Sequence, residues 1–499
     1  MTNAQARELC RGLLIETFDS LRVAPRMRSL MSLGDDGLKI GADLYPLSRF
    51  RSVRVVSVGK AAIEMAGTAA EILGKREQGA RLRGIVVAPG GGSAQPHLQP
   101  LPCGRPGVRS PGPPSDALAE EGPPPVGSGP QGGLWGAGRG SDWIVPSFQY
   151  FQAGHPYPNQ QSMEAADAAL ALLEGGTTDD LVLFLISGGG SALMEKPLDS
   201  SMSLDDMRQF HELLVTSGAG IQEMNVLRKH LSAVKGGRLA QRAAPATQVT
   251  IYVSDVPDHL PSAVASGPTM PDETTVEDCL RIARRYGLLE KFPNPIRAFF
   301  DAENVKETPK PGDACFAASK YYCLMSNRDG VGKLRELARS EGIPTAEESC
   351  DDWPVERAAA YLLERLETLC NRYPGEPVML VSGGELSCPV PPGATGRGGR
   401  NQAFVLECVA KIAGKPVVVL SAGTDGIDGN SPAAGAVADG ESARRATALG
   451  LDAQEFRSRF DSYGFFEKLN DAIVTGPTGA NVRDLRMLLS YSGFAAGEH

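Results

Sequence analysis

The stretch LVLFLISGGGSALMEKP, residues 181–197, decides the fold. Six apolar residues run without interruption into Ser187, Gly188, Gly189, Gly190 and Ser191. An unbroken apolar strand is covered on both faces, as in a parallel sheet lying between helices. A loop with almost no side chains leaves backbone N–H groups able to surround an anion, because no Cβ blocks the approach. A tight turn between strand and helix, packed against its neighbours, explains one such loop equally well.

Outward from this stretch the pattern repeats. VRVVSVG (53–59) precedes the helically spaced KAAIEMAGTAAEILG, and GIVVAP (84–89), FQYFQAG (148–154), QVTIYVSD (248–255), PVMLVSGG (377–384) and PVVVLSAG (416–423) are further short apolar runs. Helical segments lie between most of them, so the expected architecture is α/β, with mostly parallel sheets flanked by helices. At 499 residues the chain exceeds one ordinary core. We expect two α/β domains, a Rossmann-like one over 1–290 and a second over 315–499, joined through the Pro- and charge-rich segment 291–314. Residues 90–146 break the alternation; rich in Gly and Pro with little to bury, they are expected to be a disordered insert between two strands.

The chain is 42% apolar and 22% charged, with net charge −9 and no polybasic block. These values fit a soluble globular protein and argue against nucleic acid or an anionic membrane as the main partner. No apolar run approaches a membrane span. Nine scattered cysteines without CxxC or zinc spacing read as a reduced, cytoplasmic chain. The first twenty-two residues read as an amphipathic helix and not as a signal or transit peptide.

Three strands end alike, in LISGGGSAL, VSGGELS and LSAGTDGIDG, and VSVGKAA is similar. Ligands of open α/β sheets bind beyond the carboxyl ends of strands, so several such turns point to one polyanion site. There is no GxxxxGK[ST] loop and no dinucleotide GxGxxG with its acidic partner. Lys60 follows a strand at a helix start, where a cation is misplaced unless an anion lies beside it. Asn225, Arg228, Lys229 and Ser232 form a polar stripe at i, i+3, i+4 and i+7 of a helix within 225–241. Asp255, Asp425 and Asp428 stand in loops after strands, where a carboxylate can hold Mg²⁺ beside phosphates, accept a substrate hydroxyl proton, or cap a turn. Arg397 and Arg400 sit among glycines in TGRGGRNQ, free to reach a phosphate across a cleft.

Together VGKAA, AGHPYPN, LISGGGSALMEKP, NVLRKHLSAVKGGRLA, VSDVP, ASGPTMPDETT, SGGELS, GRGGRNQ, SAGTDGIDG and TGPTGANVRDL resemble, in order, the class II glycerate 2-kinases, whose C-terminal part is the MOFRL domain. The resemblance implies ATP-dependent phosphorylation of D-glycerate to 2-phosphoglycerate, a MOFRL-type second domain, and a site in the interdomain cleft. It implies Lys60, Arg400 and Asp255 as catalytic residues. Expected phosphate contacts are Ser187 to Ser191 with Gly383, Gly384 and Glu385, and Asn225, Arg228 and Lys229 would face the substrate. Mg²⁺ would lie on Asp425 or Asp255. Asp258 and His259 after VSDVP depart from the Gly-Asp common in that family. Two readings stay open beside it: an NAD(P)H-dependent hydroxypyruvate reductase, and a non-catalytic nucleotide-binding protein. The expected partners are ATP and glycerate, with a homodimer left open.

Overall fold

The computed structural model describes residues 1–74, 82–90, 145, 147–301, 304–391 and 393–492. Its strands, in chain order, are β1 (Met31–Gly34), β2 (Gly37–Ile40), β3 (Asp43–Tyr45), β4 (Ser52–Val58), β5 (Leu82–Pro89), β6 (Phe148–Ala153), β7 (Asp180–Ile186), β8 (Thr247–Val253) and β9 (Ser319–Met325). β10 (Thr345–Ser349), β11 (Val378–Gly383), β12 (Val417–Gly423), β13 (Gly435–Asp439), β14 (Ala472–Ile473) and β15 (Asp484–Ser490) follow.

β4 to β9 form one six-stranded sheet in the order β6-β5-β4-β7-β8-β9, parallel throughout. Every residue of β7 is buried, because its two faces feed two cores. Leu181, Leu183 and Leu185 join Val55, Ile251 and the Ala62–Leu73 helix, while Val182, Phe184 and Ile186 join Val56, Val58 and the Gln160–Leu173 helix. The period-two alternation of a strand thus turns one apolar run into two apolar surfaces. The insert expected at 90–146 falls, apart from its edges, outside the described residues. The strands flanking it, β5 and β6, pair in parallel.

The second six-stranded sheet corrects the expectation of mostly parallel sheets. Its order is β10-β11-β15-β12-β13-β14, and only β10 and β11 run parallel. The connection from β12 to β13 is too short to carry a crossover helix, so the strands must run antiparallel. β15, not among the strands expected from the sequence, inserts antiparallel between β11 and β12.

Packing does not follow the expected split of the chain. The first helix, Asn3–Ser20, sets Ala6, Cys10, Leu13 and Leu14 against Val418, Leu420 and Met487 of the second sheet. β9, beyond residue 314, is an edge of the first sheet. Residues 291–314 are not simply a linker either: the Asn294–Asp301 helix buries Ile296, Phe299 and Phe300 in a helical layer with Phe210, Leu227 and Ile282. Those three apolar residues have helical spacing, which the neighbouring prolines masked. Among the described residues no helix is long and apolar enough to cross a membrane.

Because Leu14 is fully buried in the core of the second sheet, Leu14→Ala should destabilise the protein by about 2–5 kcal/mol. Denaturant unfolding followed by circular dichroism measures this, and an unchanged midpoint would show that the first helix does not dock there.

Candidate active site

The strand order of the first sheet reverses between β4 and β7. A parallel α/β sheet leaves a crevice at such a point, outside the strands' carboxyl ends. Lys60 follows β4, the loop 187–191 follows β7, and Asp255 follows β8. The Lys60 amide donates to Gly188 O at 2.9 Å, the Ala61 amide donates to Ser187 Oγ at 3.0 Å, and the Ser187 amide donates to Val58 O at 2.9 Å. Gly59 has φ +126, and a Cβ there would overlap Ser187. A Cβ on Gly188 would overlap the Asp255 carboxylate. Gly59 lets the turns after β4 and β7 meet at backbone distance, and Gly188 makes room for the Asp255 carboxylate.

Ser187 therefore braces the loop with both its amide and its hydroxyl. The Gly188 and Gly189 amides meet no protein acceptor among the described residues. Gly190 packs on Ala265 and opens the short Gly190–Leu193 helix. Ser191 Oγ lies 2.6 Å from Ser266 Oγ, which donates at 3.0 Å to Asn225 Oδ1. Arg228 NH1 donates to the same oxygen at 3.3 Å, and Arg228 Nε is buried without a partner. Asn225 and Arg228 thus join the Gly loop. Lys229 does not: its ammonium is buried against Asp272 at 3.1 Å. The expected stripe is also shorter than read, since the helix spans Ile221–Leu231 and Ser232 is already extended. Ser232 instead donates to Glu195, which also holds Lys235 at 2.6 Å and His211 at 3.0 Å. Burial pushes the Glu195 carboxyl up, but Lys235 and His211 more than offset this and leave it at about 2.

The second sheet brings its own charges to the same place. Asp425 follows β12, and its Oδ2 lies 3.5 Å from Lys60 Nζ although 365 positions separate the two residues. Asp255 Oδ1 is buried without a hydrogen-bond partner. Burial raises the Asp255 carboxyl, Lys60 and Arg483 pull it down, and Asp425 pushes it up again. Arg400 opens the Arg400–Val409 helix and donates through Nε to Asp484 Oδ2 at 2.6 Å. Its NH2 meets Glu385 Oε1 at 2.9 Å. Arg397 does not reach in; its guanidinium stacks on Tyr463 at 4.4 Å.

The phosphate contacts expected at Gly383, Gly384 and Glu385 change. Gly384 and Glu385 cannot offer their amides to phosphate, because these donate to Asn327 Oδ1 at 2.9 Å and Asp351 Oδ1 at 3.0 Å. Gly383 is a strand residue, and Arg486 holds the Gly383 and Gly384 carbonyls from behind. The Glu385 side chain meets an arginine that a phosphate would also seek. Asp428 caps a helix, accepting the Asn401 amide at 3.1 Å and the Gln402 amide at 2.9 Å.

Sequence reasoning passed over three residues of the cluster. His155 lies against Gly189 and Lys60, and burial and then Lys60 lower its pKa. Arg483, with φ +73, pairs with Asp351 through both terminal nitrogens. Asp484 is buried beneath Arg400. Only His155 left a signal, in HPYPN; the others stand in segments whose strand or loop character was hidden. Among the described residues no three His, Cys, Asp or Glu groups are placed for a protein-only metal site. A phosphate-bound Mg²⁺ needs only one or two carboxylates. The partnerless Asp255 Oδ1 and the neighbouring Asp425 fit that requirement.

A crevice at the switch point of a parallel sheet, closed by cations and carboxylates from a second sheet, defines an α/β enzyme that handles an anionic substrate. Residues 11–301 match a family model described as a domain of unknown function, DUF4147, and residues 378–484 match the MOFRL family. The chain is 34% identical over 449 residues to the D-glycerate 2-kinase of Thermotoga maritima, covering 89% of this chain and 92% of that protein. It is 37% identical over 371 residues to an Agrobacterium vitis protein named as a hydroxypyruvate reductase, covering 68% and 77%. The crystal structure of Thermotoga maritima glycerate kinase superposes with TM-score 0.73 at 29% identity, covering 98% of this chain and 100% of that one. The chain belongs to the glycerate 2-kinase family, with its DUF4147 and MOFRL parts.

Gly188→Ala forces the Asp255 carboxylate away from its place. A displacement of this size should lower kcat by about a hundredfold, while thermal unfolding shows the protein still folded. A variant with wild-type kcat would mean that Asp255 need not sit there.

Proposed function

We propose that the protein is an ATP-dependent kinase that transfers the γ-phosphoryl group to D-glycerate, giving 2-phosphoglycerate. The observation that carries this reading is the approach of Lys60 to Asp425 across the two sheets, beside a Gly loop with unused amides. The names of the relatives favour a kinase over a reductase, and the chain lacks the dinucleotide fingerprint a reductase would use.

The Gly188 and Gly189 amides hold phosphate oxygens. Lys60 and Arg400 neutralise the charge spread over the transferring group. Arg228, which has no carboxylate partner among the described residues, takes the glycerate carboxylate with Asn225 beside it. Asp425 would hold Mg²⁺, which would supply neutralisation of phosphate charge. Asp255 Oδ1 accepts the proton of the substrate 2-hydroxyl. As that oxygen forms its bond to the γ-phosphorus, the bond from phosphorus to the bridging oxygen breaks and ADP leaves. His155, kept neutral by burial and Lys60, adds no charge beside the loop.

Incubating the protein with Mg-ATP and D-glycerate, then reading the product by ³¹P and ¹H NMR, tests the assignment; a product other than 2-phosphoglycerate, or none, rejects it. Lys60→Ala and Arg400→Ala should each lower kcat by about 10³-fold or more without loss of fold. Near-normal turnover by Arg400→Ala would remove that residue from the mechanism.

A further inference from the structure

Arg400 lies between two carboxylates of unlike accessibility. The Asp484 side chain is 1% exposed and holds Nε at 2.6 Å and NH2 at 3.0 Å. The Glu385 side chain is 32% exposed and holds NH2 at 2.9 Å. Asp484 is therefore the fixed mount of the guanidinium, and Glu385 is the partner that a ligand in the crevice reaches. Glu385 is itself firmly placed. Its amide donates to Asp351, its carbonyl accepts from the Asp352 amide at 2.8 Å, and the preceding turn is locked by Asn327 and Arg486. An incoming phosphate and the Glu385 carboxylate seek the same face of one guanidinium, and like charges side by side repel.

We infer that Glu385 is a positioning residue that occupies Arg400 in the empty crevice and is displaced from it by the phosphate group, so that it sets nucleotide affinity by competition. The inference rests on the kinase reading above. The charged groups facing Glu385 are Arg400 at the helix start, Asp484 and Arg483 at the start of β15, and Asp255 beyond β8. Burial pushes the Glu385 carboxyl up to about 7, with Arg400 and Arg483 opposing and Asp484 and Asp255 adding to the rise. Competition is therefore weaker below that pH, where the carboxyl is neutral, and stronger above it.

Titration of wild type and E385Q with Mg-ADP by calorimetry tests this. E385Q should bind ADP about three- to tenfold tighter, with a larger gain over wild type at pH 8 than at pH 6. E385D, which draws the charge back by one methylene, should show a smaller gain in the same direction. A strut that only shaped the site would weaken binding on removal and show no such pH trend. Equal or weaker ADP binding by folded E385Q overturns the inference, and so does failure of both variants to fold. Wild type that binds no ADP at either pH sinks the kinase reading itself, a result distinct from a wild type that binds while E385Q gains nothing.

Discussion

Close backbone approach at the switch point is the constraint on which the remaining site depends. The turns after β4 and β7 hydrogen-bond to each other directly, Lys60 to Gly188 and Ala61 to Ser187. That contact exists because Gly59 lacks a Cβ, while Gly188 without one leaves room for the Asp255 carboxylate. It places the Lys60 side chain, the free Gly amides and the Asp255 carboxylate at one end of the sheet. The strained turn at Ala265 and Ser266, both at positive φ, then backs the loop against Gly190 and Ser191. The two loops hold one another, so the crevice floor is preorganised before any ligand arrives.

The walls are built from charges in unequal states of satisfaction. Lys229 with Asp272 and Lys235 with Glu195 are buried pairs whose members answer one another. Removing one partner would strand the other in a low-dielectric interior, so these pairs act as structure. Lys60, Asp255 and Arg228 differ. Lys60 meets its carboxylate at 3.5 Å, while Asp255 Oδ1 and Arg228 Nε are buried without a partner. Incompletely paired polar groups converging in a crevice are the physical mark of a place that awaits a ligand. Arg400 is intermediate, firmly mounted by Asp484 and shared with Glu385.

Much of this was legible before the structure was seen. The apolar runs at 53–59 and 181–186 announced a sheet covered on both faces, and the Gly turns announced its ligand end. Lys60, the Ser187–Ser191 loop, Asp255 and Asp425 lie side by side, and Arg400 adjoins them through Glu385. Lys229 shows where local reading fails: its helical spacing is the same as that of Arg228, but a distant Asp272 claims it. Gly384 fails in another way, since its amide is spent on Asn327 from a helix that no local pattern could link to it. The layout of the units was obscured because the first helix skips the nearer sheet and packs on the farther one.

By itself the sequence determined the strand and helix periods, the glycines that permit tight turns, and the type of chemistry its charged residues can support. Period and composition are local properties, carried within a few residues of each position. The tertiary structure alone decided that the second sheet is mainly antiparallel, that Asp425 reaches Lys60 over 365 positions, and which charges are neutralised in pairs. Those outcomes depend on which groups meet through space and are stripped of water, and a pairwise energy of that kind has no trace in either partner's own neighbourhood.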